Sequence, residues 1–516
     1  MKESILIIDF GSQVTKLIAR RIREFGVFSQ IIPFNKIKKN QINNKVVRGI
    51  IFSGGPKSVK EKHSPRLPSF IYSLNIPILG ICYGLQLIAT HFKGNVSPSN
   101  DREFGKRNLV LKKNSYLLGN IYKLNIENQV WMSHSDKVSE LPVGFSNIAS
   151  SENCEYAVIE NIKKKIFGIQ FHPEVVHTLK GKEILNNFVK NICGCQKSWN
   201  MKTFKKEILL DIKNKVKGDK IICGLSGGVD STVTAALINE AVGQNLICVF
   251  VDTGLMREGE RQQIQKLFID NFDIKLKVVD ASKVFFKKLK GISDPEKKRK
   301  IIGREFINIF EKFALKQSNV KYLAQGTLYP DVIESLSKVG DSSVTIKSHH
   351  NVGGLPKKMK LKLLEPLKEL FKDEVRTLGK ELKIPESFTN RHPFPGPGLA
   401  IRLLGDINKK GINILRKADD IFIRMIKDEG LYDEIWQAFC VLLPVNTVGV
   451  MGDNRTYEKI CVLRAVTSID GMTAESYGFT NKFLQKCANE IINNVPGINR
   501  VCYDYTSKPP GTIEYE

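Results

Sequence analysis

Cys82 stands at the end of an apolar run, in Gly80-Ile-Cys-Tyr-Gly-Leu-Gln86, and a helix-like pattern follows at 85–91. A cysteine placed between a strand and a helix start meets the positive end of the helix dipole and free backbone N–H groups. Both favour thiolate over thiol and can bind an oxyanion. Gly80 and Gly84 suit the tight turn that such an elbow needs. A thiolate nucleophile also requires a proton shuttle, and Phe171-His-Pro-Glu174 offers one just past another apolar run. His172 can serve as acid and base, with Glu174 two residues on to hold its other ring nitrogen. Gly54-Gly55-Pro56 follows a third such run and offers backbone N–H donors to an oxyanion hole. A lone strand-end cysteine is more often core packing. The three groups in this order, at the ends of successive strands, describe a nucleophilic site.

A second constellation is Leu225-Ser-Gly-Gly-Val-Asp-Ser231, again between a strand and a helix. The glycines let backbone N–H groups approach an anion, and Ser226 and Ser231 add hydroxyl donors. No G-x-x-x-x-G-K-[ST] string occurs, which argues against γ-phosphoryl transfer on a Walker-type loop. The adjacent His349 and His350 lack a third ligand at metal-site spacing. The 10 cysteines show no C-x-x-C pair. Cys193 and Cys195 form a lone C-x-C, read as ordinary thiols at a domain end.

These residues need α/β scaffolds to position them. The runs at 5–9, 49–53, 76–82 and 166–171 read as buried strands, with helical patterns at 13–25 and 181–191 between and after them. Residues 193–200 read as a linker. A second α/β unit follows, with strands at 220–225, 246–252, 276–280 and 321–324 and a helix at 231–241. The basic stretch 294–304 reads as a solvated helix start. Prolines and glycines at 391–399 end regular structure, and the remainder, with strand-like runs at 459–466 and 500–505, reads as α+β. The expected fold class is therefore α/β: two consecutive, mainly parallel-sheet domains followed by a smaller α+β domain, divided 1–195, 200–391 and 392–516.

The chain has 516 residues, 42% of them hydrophobic and 26% charged, which excludes a disordered or low-complexity protein. No apolar run approaches the roughly 18 residues of a membrane span, and the N-terminus reads as a strand rather than a leader. A cytoplasmic location is expected, with no membrane partner. The net charge of +26 favours polyanions in general. Most of that excess is lysine in a chain also rich in isoleucine and asparagine, a pattern expected of an AT-rich coding sequence, so no nucleic-acid partner is inferred from it.

The strings GICYGLQL, SGGP and GIQFHPE resemble the motifs of class I (triad) glutamine amidotransferases. That resemblance implies that Cys82 attacks the glutamine amide, that His172 is its base, and that Glu174 supports the base. It also implies that Gly55 and Tyr83 supply oxyanion N–H groups and that Gln86 holds the substrate glutamine; Trp131-Met-Ser-His-Ser-Asp136 resembles a further glutamine-side segment. SGGVDS resembles the pyrophosphate-binding loop of ATP pyrophosphatases, which cleave ATP between the α and β phosphates. ATP binding would fall to Ser226, Gly227, Gly228, Val229, Asp230 and Ser231. Magnesium would neutralise the triphosphate, with Asp230 as a candidate ligand.

Four further motifs follow in order: Lys298-Arg-Lys-Ile-Ile-Gly303, Ala324-Gln-Gly-Thr-Leu-Tyr-Pro-Asp331, Lys347-Ser-His-His-Asn-Val-Gly-Gly354 and Arg391-His-Pro-Phe-Pro-Gly-Pro-Gly-Leu-Ala-Ile-Arg402. The chain closes on Ser507-Lys-Pro-Pro-Gly-Thr-Ile-Glu514. This set resembles the glutamine-hydrolysing GMP synthetases. The resemblance implies adenylation of xanthosine monophosphate (XMP) and its amination to GMP, with XMP contacts from Arg299, Asp453, Arg455, Lys508 and Glu514. It also implies a lid carrying Lys347 and a homodimer formed through the last domain. An RNA-thiolating enzyme would also carry SGGVDS, but it would need reactive cysteines beside that loop and an RNA-binding module. Cys223 and Cys248 sit in buried patterns, and no such module is legible. NAD and asparagine synthetases use other glutaminase types than the GICYG triad.

Overall fold

The computed structural model describes residues 3–39, 42, 46–272, 274–317, 319–337, 361–452, 454–468, 471 and 473–516, with 99–102, 334–337 and 451 described by backbone alone. The chain divides into two compact units, one built on Met1–Phe204 and the other on most of the chain from Lys205 onward.

In the first unit the strands are β1 (Ser4–Asp9), β2 (Phe28–Pro33), β3 (Val47–Phe52), β4 (Ile78–Ile81), β5 (Asn95–Leu111), β6 (Glu127–Glu140), β7 (Ser146–Ser150), β8 (Val158–Asn161) and β9 (Ile166–Ile169). They form one sheet in the order β2-β1-β3-β4-β9-β8-β7-β5-β6. Pairing is parallel from β2 to β9 and antiparallel from β9 to β6. The inner parallel strands β1, β4 and β9 are largely apolar runs because both of their faces are covered, unlike the edge strand β2. Helices α1 (Thr15–Glu24), α2 (Tyr83–His91) and α3 (Gly181–Asn187) supply apolar stripes; α1 buries Ile18, Ala19 and Ile22. Residues 193–200, the stretch read as a linker, are tied back to the first unit. Ser198 and Trp199 donate their backbone N–H groups to the Gly26 carbonyl, each at 2.9 Å, and the Trp199 ring packs on Phe28.

α4 (Met201–Val216) leads into the second unit, which holds a five-stranded parallel sheet. Its strands are β10 (Lys220–Leu225), β11 (Leu246–Asp252), β12 (Lys275–Asp280), β13 (Val320–Ala324) and β14 (Lys362–Leu364), in the order β12-β11-β10-β13-β14. The order reverses beside β10, the crevice where open α/β sheets bind ligands. Around these strands lie α5 (Val229–Val242), α6 (Glu260–Asn271), α7 (Ser282–Leu289), α8 (Pro295–Leu315), α9 (Tyr329–Ser337), α10 (Lys372–Glu381) and α11 (Glu386–Thr389). A long amphipathic helix, α12 (Lys409–Asp428), then packs on β15 (Gln437–Met451). The hairpin partner is β16 (Asn454–Thr467), flanked by the short β17 (Glu475–Ser476); α13 (Asn481–Asn494) leads to β18 (Ile498–Tyr503), parallel to β16. One apolar core runs from Val249 and Val251 through Leu399 and Ala400 to Phe422, Cys440 and Ile498.

The basic stretch 294–304 is a helix start, as expected, but it is not wholly solvated. Asp294 caps α8 by accepting the Lys297 N–H at 2.7 Å, and Pro295 occupies the first turn. Lys298, one turn in, is fully buried. It donates to the carbonyls of Ala400 (3.2 Å) and Leu403 (3.0 Å) and pairs with Glu516. Three acceptors arriving from distant parts of the chain make its burial tolerable.

Candidate active sites

β4 ends at Ile81, and Cys82 takes φ 51° and ψ −104° before α2 starts at Tyr83. Its backbone N–H donates to the Ile169 carbonyl at 2.8 Å, which ties the elbow to the neighbouring β9. The positive φ lies on the cysteine, not on the flanking glycines. Those glycines are required by packing: a Cβ on Gly80 would lie 2.6 Å from the Gly84 carbonyl, and one on Gly84 would lie 2.6 Å from Phe52. Strand and helix can approach this closely only without side chains.

His172 follows β9, and its backbone N–H is held by the Trp131 carbonyl at 3.0 Å. Thr178 Oγ1 donates to its carbonyl at 2.6 Å. The imidazole Nδ1 meets Glu174 Oε1 at 2.8 Å, and the Cys82 sulfur is among the groups that act on the ring electrostatically. Burial disfavours the charged ring, but the Glu174 carboxylate and the Cys82 sulfur outweigh it, so the His172 pKa is raised well above the usual histidine range. Gly54 leaves room for this ring, since a Cβ there would stand 3.2 Å from His172 Cε1; Gly55 lies against Phe10 and Tyr83. The Tyr83 hydroxyl is committed to the Pro65 carbonyl at 2.7 Å, so what the residue offers the site is its backbone N–H at the helix start. Gln86, one helical turn after Cys82, donates to the Asp136 carbonyl at 2.9 Å. Two contacts were not read from the sequence. Gln170 Nε2 donates to Cys82 Sγ at 3.5 Å, and the thiol faces the Ser133 carbonyl at 3.7 Å. Gln170 lies inside the GIQFHPE string, where its polarity in an otherwise apolar strand end was the available signal.

In the second unit β10 delivers Ser226 and α5 begins at Val229. Gly227 has φ +79°, and a Cβ there would meet Ile264 at 2.5 Å, so only glycine suits the position. Ser231 Oγ accepts the Ser226 N–H at 3.3 Å and donates to the Gly228 carbonyl at 3.0 Å, which folds the loop around the helix start. Arg391 braces the loop from outside, donating to the Gly227 carbonyl at 3.2 Å and to Glu260 at 3.3 Å. Asp230 is in the first turn of α5. Burial raises its pKa, helped by Asp331 and opposed by Lys372 and Arg376, and its Oδ1 is buried with no hydrogen-bond partner among the described residues. The described residues hold no cluster of three or more metal-ligating side chains. A cation here would therefore draw most of its ligands from phosphate oxygens and water.

Family models match three stretches: glutamine amidotransferase class-I over residues 6–192, NAD synthase over 203–320 and GMP synthase C terminal domain over 424–515. The glutamine-hydrolysing GMP synthase of Bradyrhizobium diazoefficiens is 55% identical, covering 100% of this chain and 93% of its own length. That of Zymomonas mobilis is also 55% identical, over 100% of this chain and 98% of its own. The chain belongs to the glutamine-hydrolysing GMP synthase family.

Within this GMP synthase fold, the residues expected to contact the nucleotide gather unevenly around the C-terminal tail. Arg299 on α8 donates to the Glu516 carbonyl, and Lys508 donates to the Gly471 carbonyl at 2.7 Å. Glu514 receives a two-pronged pair from Arg402 at 3.0 and 2.8 Å and a third bond from Gln437 at 2.6 Å. Arg402 is fully buried and stacks over Phe439 at 4.1 Å. Arg464 anchors the tail through the carbonyls of Thr506, Thr512 and Ile513. Arg455 is exposed near the β15–β16 turn and makes no bond to these groups among the described residues. Asp453 and Lys347 lie outside the described residues. Arg402 and Arg391 bound a motif that was legible, but their roles were not; Gln437 carried no signal. No helix among the described residues is long and apolar enough to cross a membrane.

Proposed function

We propose that Cys82, His172 and Glu174 release ammonia from glutamine in the first unit, and that the SGGVDS loop activates XMP with ATP in the second. Cys82 Sγ attacks the glutamine amide carbon, and the developing oxyanion accepts N–H bonds from Tyr83 and Gly55. His172, its ring held by Glu174, gives its proton to the departing ammonia and leaves a glutamyl thioester. It then takes a proton from the water that attacks this thioester, and glutamate departs. At the second site the XMP C2 oxygen attacks the ATP α-phosphorus, pyrophosphate leaves, and ammonia displaces AMP to give GMP. Ser226, Gly227, Gly228, Val229 and Ser231 cradle the departing pyrophosphate with N–H and hydroxyl donors. The orphaned Asp230 Oδ1 is a carboxylate oxygen of the kind magnesium accepts, so Asp230 would hold the cation, which supplies charge neutralisation on the triphosphate when bound. Arg299, Asp453, Arg455, Lys508 and Glu514 are assigned to XMP, and Lys347 to a lid, on the strength of the motifs.

The observation that carries this reading is the strained Cys82 elbow, together with a Glu174-held His172 whose charge the Cys82 sulfur favours, in the same chain as a pyrophosphate loop. Glutamine, ATP, XMP and Mg²⁺ should yield GMP, AMP, pyrophosphate and glutamate. Cys82→Ala should abolish glutamine-driven synthesis and retain synthesis from added ammonia. AMP formation without GMP would refute the reading. We also propose a homodimer formed through the β15–β16 hairpin, whose Val445, Val448, Val450 and Tyr457 are exposed, acting in the cytoplasm. The three-part division at 1–195, 200–391 and 392–516 belongs to the same proposal.

A further inference from the structure

β6 meets three residues of the candidate glutaminase site. Its Trp131 carbonyl holds the His172 N–H, its Ser133 carbonyl faces Cys82 Sγ, and its Asp136 carbonyl receives Gln86. A strand segment with these three duties must be fixed to within a fraction of an ångström, because small misplacements at a reacting centre are costly. Side chains inside the sheet do the fixing. Glu103 on β5 lies directly opposite His134 on β6 in the antiparallel register. Both are buried.

The bonds form a chain. Glu103 Oε2 meets His134 Nε2 at 3.0 Å, and Ser151 Oγ donates to the Glu103 carboxylate at 3.0 Å. Burial raises the Glu103 pKa, but the bonds from His134 and Ser151 outweigh it, so its carboxylate is held below the usual range and acts as an acceptor. The other ring nitrogen, His134 Nδ1, lies 3.1 Å from the Asp136 carbonyl, which only accepts. The two ring nitrogens are thus both engaged, one by the carboxylate and one by the carbonyl. His134 thus bridges the Glu103 carboxylate and the Asp136 carbonyl, the same carbonyl that Gln86 engages.

We propose that Glu103 is a positioning residue for glutamine hydrolysis, acting through His134 to set the Ser133–Asp136 segment against Cys82 and Gln86. The inference rests on the assignment of Cys82 and Gln86 to the glutaminase. Glu103 touches neither substrate nor nucleophile. Its loss should weaken productive glutamine binding while leaving the chemistry of the sulfur intact.

The test is a double-mutant cycle on the full chain. Glu103→Gln keeps the shape and removes the charge. His134→Asn keeps an amide donor near the Nδ1 position and removes the link to Glu103. Glu103→Gln should lower kcat/KM for glutamine by about 10- to 100-fold, mainly through KM. The rate of Cys82 alkylation by iodoacetamide, which needs no glutamine-shaped site, should stay within about twofold, as should the melting profile. In the His134→Asn background Glu103→Gln should add little, because both act through one tether. Fully additive effects, an unchanged glutamine KM, or a parallel loss of alkylation would each overturn the proposal. Glutamine hydrolysis surviving in Cys82→Ala would instead overturn the assignment beneath it.

Discussion

His392 should make the second unit acid-sensitive at a pH well above that of its carboxylates. Its ring stacks on Tyr432 with centroids 3.8 Å apart, its Nε2 meets the Tyr432 carbonyl at 2.8 Å, and its Nδ1 accepts the Ala438 N–H at 3.3 Å. Only the neutral ring with its proton on Nε2 satisfies both contacts; protonation would set N–H against N–H. Burial accordingly pushes its pKa down to about 4, reinforced by Arg257 and Lys427 and opposed by the Tyr432 carbonyl. In the unfolded chain the group titrates near its ordinary 6.5. Below that value the unfolded state binds a proton that the folded state refuses. The stability contribution is therefore complete above 6.5 and is lost as pH falls toward about 4, a change of about 3 kcal/mol. The assay is urea unfolding at stepped pH, followed by Trp436 fluorescence with Trp131 and Trp199 replaced by Phe. His392→Asn keeps an acceptor for Ala438 and cannot titrate. It should be less stable than the parent at pH 7.5, and the gap should close by about 3 kcal/mol by pH 4. Two curves falling in parallel across that range would show that His392 is not held neutral, and the argument would fail.

Two other outcomes follow from the glutaminase unit. Glu174→Gln removes the carboxylate that raises the His172 pKa, so the alkaline limb of glutamine hydrolysis, where protonated His172 is lost, should move to lower pH; an unmoved limb would separate Glu174 from the base. Gly84→Ala forces a Cβ to within 2.6 Å of Phe52 and should cost about 1–3 kcal/mol, read as a lower melting temperature together with lost glutaminase activity.

The parts legible in the sequence were those whose cause is local. β-branched runs at 5–9, 76–82 and 220–225 became strands because burial and backbone preference agree along a few residues. Cys82, His172 and Glu174 could be singled out as a candidate site because each lies just past a strand, beside residues with few structural alternatives. What stayed hidden depends on partners far along the chain. Lys298 sits in a run of charge that reads as solvated, and only its acceptors at Ala400, Leu403 and Glu516 explain its burial. The Arg402–Glu514 pair and the Glu103–His134 pair join residues whose separation in sequence says nothing of contact. Gly80 and Gly84 were recognised as necessary, but for turn geometry, whereas the structure requires them for the close approach of strand and helix.

The φ of 51° at Cys82 has a consequence for how this enzyme can change. A non-glycine residue held there costs about 1–3 kcal/mol, a large share of the roughly 5–15 kcal/mol that separates a folded domain from its unfolded chain. The residue that relieves the strain most cheaply is glycine, which has no sulfur. At this position the directions of greater stability and greater activity are opposed. Random improvement of the fold would tend to erase the cysteine proposed as nucleophile, and under that proposal demand for glutamine-derived ammonia is what keeps it in place.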